Sequence, residues 1–285
     1  MRLQVGCRFE HDADATVPVV VLVDPHGDEA AELRDERWHC EPELATSRYT
    51  DRYGNRCRRL VLPAGGSALS YRALVTTPDD PEPVPGPGDA QHRVEDLVDG
   101  TLHWLLPSRY CEVDLFGQTA WGLFGDAPPG VGCVQAVCDW IHENVEYGVA
   151  SLPTTTTVEA FDRRGGVCRD FAHLGVTLCR ALGIPARYVV GYMPDIGVPP
   201  PYPVMDFHAW FEVWLGTRWW TFDARFNTPR IGRVPIGRGR DAADVAMVTT
   251  YGAATLRRMT VWADRVPDDA GLPDAPVEAE VGDAR

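Results

Sequence analysis

Residues 164–185 read RGGVCRDFAHLGVTLCRALGIP, and the reading of the fold starts from them. Gly165 and Gly166 break the chain. Phe171, Leu174, Leu178 and Leu182 then recur at helical spacing and share one face, which Gly183 and Pro185 close. Cys168, three residues before Phe171, therefore falls at the helix N-terminus on the buried side. Free N–H groups and the helix dipole favour a thiolate there, so its pKa is expected to be lowered. The same N–H groups suit a developing oxyanion. A free cysteine is also a common small core residue, and helix position alone does not choose between the two roles. Cys179, near the C-terminus of the same helix, reads as core.

The second decisive stretch is residues 206–225, DFHAWFEVWLGTRWWTFDAR. Phe207, Ala209, Phe211, Val213 and Leu215 alternate with His208, Trp210, Glu212 and Trp214, the pattern of a strand with one wholly apolar face. Gly216-Thr217 suits a two-residue turn, and the return strand runs from Arg218 to about Arg225. Counting back from that turn sets Leu215 opposite Arg218, Trp214 opposite Trp219, Trp210 opposite Asp223 and His208 opposite Arg225. Asp223 is then a diagonal neighbour of His208 on the same sheet face, about 7–8 Å away at the backbone and within side-chain reach. A register slip of one residue would send it to the other face. A nucleophile, a base and an orienting acid thus follow one another along the chain. Taken singly, His208 reads more readily as a structural histidine and Asp223 as an ordinary strand-end or turn acid.

Outward from this centre, residues 1–78 read as a small β-rich domain, a sandwich of short strands such as LQVGCRF, TVPVVVLV and RRLVLPA. Residues 48–57 have the look of a hairpin with Gly54-Asn55 at its tip. Residues 79–90, rich in Pro, Gly and acid, are expected to be a linker. Residues 91–263 form the domain that carries the motif, and 264–285 read as a disordered acidic tail. Val131, Val134, Val137, Cys138, Ile141 and Val145 mark an amphipathic helix, in which Cys138 reads as core and His142 as a surface or satisfied residue.

Composition narrows the function. Of 285 residues, 45% are apolar, enough to bury a real core, and the formal net charge is −14. Such an acidic surface argues against nucleic acid and against an anionic membrane as partner. All 27 basic residues are Arg, so the chain offers no side-chain amine for crosslinking to itself. The first residues lack the apolar core of a signal peptide, and no run reaches the length of a membrane span, so a cytoplasmic location with reduced thiols is expected. The eight cysteines show no CxxC pairing; Cys133 and Cys138 have no companion pair, and no metal site is expected.

GGVCRDFAHLGVTLCRALGIPARYVVGY, DFHAWFEVW and WWTFDAR together resemble the transglutaminase-like superfamily, in particular its short bacterial members. The β-rich N-terminal region and the tract from Phe226 through residues 231–234 and 239–245 resemble the same group. The resemblance implies an α+β, papain-like core preceded by a β-rich domain. It gives Cys168 the role of nucleophile, His208 that of general base and acid, and Asp223 that of its orienter. It implies attack on an amide carbonyl through an acyl-thioester, without metal or organic cofactor, on a protein or peptide substrate. Hydrolysis by a protease or amidase is the first expectation. Transamidation, or a catalytically silent binding or scaffold module, is the alternative. Relatives that crosslink use an upstream aromatic as oxyanion donor; Trp140 and Trp121 hold such positions, and the role stays unassigned. Trp210 and Tyr202 are candidate substrate-binding residues; Trp210, Trp214 and Trp219 share the His208 face and read either as the wall of a cleft or, for at least two of them, as core of a helix–sheet interface. The proline-rich loop from Met193 to Asp206, with Pro194, Pro199, Pro200, Pro201 and Pro203, reads either as the shaper of the acyl-substrate entrance or as a plain turn-rich connection.

Overall fold

In the computed structural model, which describes residues 1–27, 32–86, 88–202 and 204–272, the first six strands form two antiparallel sheets. They are β1 (Arg2–Ala13), β2 (Val17–Val21), β3 (Glu32–Glu41), β4 (Ser47–Thr50), β5 (Arg56–Leu62) and β6 (Gly65–Thr76). Leu3, Val5, Cys7 and Phe9 of β1 join Val17, Val19 and Val21 of β2 and Leu60 and Leu62 of β5 in one continuous core. This is the period-2 burial that a half-buried sheet requires. The hairpin between β4 and β5 turns where expected. Asp51 Oδ1 accepts the N–H groups of Tyr53 and Asn55 at 2.8 and 2.9 Å, and Gly54 takes φ +84°.

Five helices follow: α1 (Asp99–Leu102), α2 (Val113–Phe124), α3 (Val131–Asn144), α4 (Thr157–Arg163) and α5 (Cys168–Ala181). Gly165 and Gly166, rather than only breaking the chain, form a two-residue strand, β8, that pairs in parallel with β7 (Glu146–Tyr147). A side chain is excluded at both glycines. A Cβ would lie 2.7 Å from Val149 at Gly165 and 2.6 Å from the Asp170 carboxylate at Gly166. Helix α5 is buried on every side from Asp170 to Arg180, more fully than a single apolar face implies, because α2, α3 and α4 all pack on it. Its remaining side lies on a sheet of order β11-β10-β9-β12, made of β9 (Ala186–Tyr192), β10 (His208–Leu215), β11 (Arg218–Phe222) and β12 (Val234–Gly239). Gly175 lets the helix approach closely, since a Cβ there would sit 2.4 Å from the Phe211 ring.

The last strands depart from the expected division at residue 263. Strand β13 (Val248–Thr250) pairs with β2, and β14 (Thr255–Val266) pairs with β1 from Arg2↔Val266 to Asp12↔Thr255. The polypeptide thus returns to the N-terminal sheets, and Asp264–Val266, expected in a tail, are part of a strand. Residues 273–285 of that expected tail lie outside the described residues. A second tie joins the two regions at the hairpin tip. Buried Asn55 donates to Arg238 O at 2.9 Å and accepts from Arg238 N–H at 2.8 Å, fixing the hairpin to β12. Among the described residues, no helix is long and apolar enough to cross a membrane.

Candidate active site

Cys168 opens α5, where the first-turn N–H groups have no acceptor within the helix. Asp170 caps the preceding residue, accepting the Val167 N–H at 2.9 Å. The sulfur lies against the start of β10, with Sγ 4.0 Å from Phe207 O. The Ala209 N–H lies on the other side of His208 and also acts on the sulfur. The thiol therefore touches the strand backbone on both flanks of the histidine.

The β10–β11 register is the one counted from the turn, from Leu215↔Arg218 to Phe211↔Phe222. The ladder stops there, and Asp223 sits one step beyond it. Its Oδ2 accepts from His208 Nε2 at 2.8 Å and from Arg233 Nη2 at 2.8 Å. Its Oδ1 accepts the N–H groups of Arg225 at 3.0 Å and Phe226 at 3.4 Å. Arg233 is also ion-paired to Glu82, so a buried row runs His208–Asp223–Arg233–Glu82. Behind this turn, His142 Nδ1 lies 3.2 Å from Ala224 O and 2.9 Å from Arg225 O. It donates to both carbonyls and steadies the loop that bears Asp223. His142 is thus a satisfied histidine with a supporting place at the site.

The charges follow from these contacts. Burial alone would raise the Asp223 carboxyl, but His208 and Arg233 outweigh it and hold it well below the usual carboxylate range. Burial lowers the His208 pKa, with Arg233 and Arg225 adding to the effect against the pull of Asp223. Arg225 Nη1 lies 3.4 Å from His208 Nδ1. A guanidinium only donates, so this contact selects the neutral imidazole that carries its proton on Nε2 and a lone pair on Nδ1. The expected lowering of the Cys168 pKa is reversed. Burial pushes the thiol up to about 11, outweighing the Ala209 N–H and the Arg225 charge. Burial thus favours the neutral thiol at Cys168 and the neutral imidazole at His208.

The other candidates part company. Trp210 is 1% exposed and stacks on the His208 ring at 6.3 Å with the Arg233 guanidinium 4.7 Å from its own ring. It buttresses the imidazole and has no free face for substrate. Trp214 and Trp219 pack edge-to-face on each other, with Trp219 against Trp104. The apolar alternation of β10 does not mark an open side, since nearly the whole strand is buried. Tyr202 is 55% exposed, and its hydroxyl donates to Val198 O within its own loop at 3.5 Å. Pro203 of that loop lies outside the described residues. Trp140 stacks on Phe161 at 5.3 Å with Arg164 over it, and exposed Trp121 lines a separate hollow with Gln91 and Phe124. Neither aromatic reaches the sulfur. Tyr147 does neighbour it, because β7 pairs Tyr147 with Gly166, two residues before Cys168.

A small cavity of about 80 Å³ lies behind Asp223, lined by Glu82, Gln135, Cys138, Phe222 and Asn227. Neither Cys168 nor His208 lines it, so it is not where a substrate meets the sulfur. Among the described residues, no cluster of three or more His, Cys, Asp or Glu side chains is arranged to hold a metal ion.

Sequence reasoning missed Arg233 and Glu82; it set Arg225 opposite His208 in the strand count but gave it no role. Arg233 lay in a tract assigned no role, and Glu82 in a segment read as linker. The only available signal was an unusual density of Arg within ten residues of Asp223.

Comparisons with known proteins bear on the family and the fold. The profile described as the Transglutaminase-like superfamily matches residues 119–224. A solved Cytophaga hutchinsonii structure, described as a candidate cysteine protease, is 33% identical with a TM-score of 0.82; the match covers 95% of this chain and 92% of that one. Uncharacterised proteins of Mycobacterium leprae and Mycobacterium tuberculosis are each 33% identical over 129 and 128 residues. Those matches cover 40% and 41% of this chain, and 42% and 40% of the relatives, so the chain spans about two fifths of the curated proteins it matches.

Proposed function

This chain belongs to the transglutaminase-like superfamily, and on that premise we propose that it hydrolyses amide bonds in proteins or peptides through a thioester on Cys168. The observation that carries the reading is the 2.8 Å bond from His208 Nε2 to an ionised Asp223, which leaves Nδ1 as a base beside the strand backbone that the sulfur touches. Nδ1 takes the thiol proton as sulfur attacks the amide carbonyl. The C–S bond forms, and the carbonyl electron pair moves to oxygen near the N-terminus of α5. Asp223 stabilises the imidazolium so produced. The imidazolium returns its proton to the amide nitrogen, the C–N bond breaks and an amine leaves. Water then gives its proton to Nδ1 and attacks the thioester, releasing the acid and the thiol.

Burial favours the neutral form of both groups, which supports proton transfer concerted with attack. The likeness to a protein described as a candidate cysteine protease supports water over an amine as acceptor. The test is a screen of amide and peptide donors with wild type and Cys168→Ala, reading released amine and the mass of the intact protein. An acyl adduct on Cys168, released by hydroxylamine and absent from the variant, is expected. Turnover that survives Cys168→Ala, or an adduct on another cysteine, overturns the reading.

A further inference from the structure

In a chain of net charge −14, most buried guanidiniums meet a carboxylate: Arg58 pairs with Asp24, Arg187 and Arg238 with Glu212, and Arg233 with Asp223 and Glu82. Arg225 does not. Among the described residues its side chain touches no carboxylate. It lies over the Tyr147 ring at 3.8 Å and the Phe226 ring at 4.5 Å, and reaches His208 Nδ1 at 3.4 Å. Tyr147 is paired to Gly166 beside Cys168, so this half-exposed guanidinium spans from the sulfur's own neighbourhood to the base. A second cation adjoins it. Arg230, 3% exposed, lies 4.3 Å from the same Phe226 ring and spends one nitrogen on Pro194 O at 3.2 Å. Its Nε and Nη1 have no hydrogen-bond partner among the described residues. Arg225 thus has donors to spare at the imidazole, with a second cation, Arg230, on the other contact of the Phe226 ring.

Resting on the thioester reading above, we infer that Arg225 forms an anion subsite at the reaction centre, and that the acyl donor carries a carboxylate within about one residue of the scissile amide. A guanidinium is built to take a carboxylate through two parallel N–H bonds, which its contact with a neutral ring nitrogen does not satisfy. The position also links recognition to chemistry. Arg225 occupies the ring nitrogen that must receive the thiol proton, and a carboxylate drawing the guanidinium toward itself frees that lone pair. Donors with a carboxamide at the same place leave Arg225 on Nδ1 and react slowly.

The test uses two alkylating agents of nearly equal size and opposite charge state, iodoacetate and iodoacetamide. In each, the Cys168 sulfur attacks the methylene carbon; the C–S bond forms, the C–I bond breaks, iodide leaves and the thiol proton passes to His208. The carboxylate of iodoacetate is one bond from the reacting carbon, so only a cation at the sulfur can favour it. The rate ratio of iodoacetate to iodoacetamide at Cys168, read by peptide mass mapping, is expected to fall about 10- to 100-fold in Arg225→Gln, the worth of one charge-assisted hydrogen bond. Arg225→Lys, which keeps the charge without the fork, should fall between. A ratio within a protein cancels partial misfolding. An unchanged ratio in Arg225→Gln, or a wild-type sulfur that favours iodoacetamide as free thiols do, overturns the subsite alone. A Cys168 that reacts with neither reagent while the protein is folded overturns the thioester reading and the subsite with it.

Discussion

Replacing Arg233 with Met should destabilise the protein by about 3–5 kcal/mol at pH 8, the usual cost of removing one partner from a buried charge pair. Arg233 sits between two carboxylates, 2.8 Å from Asp223 and ion-paired to Glu82, with its side chain 5% exposed. At charge-centre separations of about 4 Å and an effective dielectric near 20, each attraction is worth roughly 4 kcal/mol before desolvation. Methionine fills a similar volume and ends both attractions, leaving two buried anions facing one another. The loss has a pH signature. Burial raises the Glu82 carboxyl even with Arg233 present, so without Arg233 this group takes up a proton at milder acidity. The deficit should therefore shrink between pH 8 and pH 5, as one anion is neutralised. Urea unfolding followed by tryptophan fluorescence at both pH values measures it. In the same variant His208 loses a cation that lowers its pKa, so the acid limb of Cys168 alkylation by iodoacetamide should move to higher pH. A deficit below about 1 kcal/mol at pH 8, the range of exposed pairs, would show that water screens this row and refute the reasoning.

Asp223→Asn removes the anion that supports the imidazolium, and should slow alkylation of Cys168 at neutral pH by about 100-fold or more, read with iodoacetamide. Gly175→Ala places a methyl 2.4 Å from the Phe211 ring, and overpacking of about 1–3 kcal/mol should appear in thermal unfolding without loss of the Cys168 reaction per folded molecule. His11, His173 and His208 all have pKa values lowered by burial, so the folded state binds fewer protons than the unfolded chain near pH 6. Their stabilising contribution is complete above about pH 6.5 and falls as the pH drops below it; the Asp223 contribution is lost only at still lower pH. Melting temperatures flat above neutrality and declining from pH 6.5 downward check this, and a flat profile to pH 4.5 would contradict it.

The helix that begins at Cys168 and the hairpin that turns at Gly216 were legible because each is specified by local pattern. Fixing the turn fixes every pair back to Phe211↔Phe222, and that alone brings Asp223 to His208. What lay beyond local pattern could not be read. Trp210 alternates like a residue on an accessible face, yet Arg233 and the His208 ring cover it. The Cys168 pKa depends on how much water the surrounding fold excludes, which the helix position does not contain. Glu82 follows the composition of a linker, and its role comes from meeting Arg233 across roughly 150 residues of chain. The two terminal strands were missed for a related reason: their partners lie at the opposite end of the sequence.

That pairing bears on how the protein is made. β1 is an inner strand flanked by β6 and β14, and β14 begins at Thr255. During synthesis the first strand leaves the ribosome with only one of its two neighbours available, and its other edge stays open until about 240 further residues have followed. Closing that sheet joins residues at extreme sequence separation, the kind of contact that slows folding most. The open edge of β1 is therefore exposed to edge-to-edge association until β14 has been made.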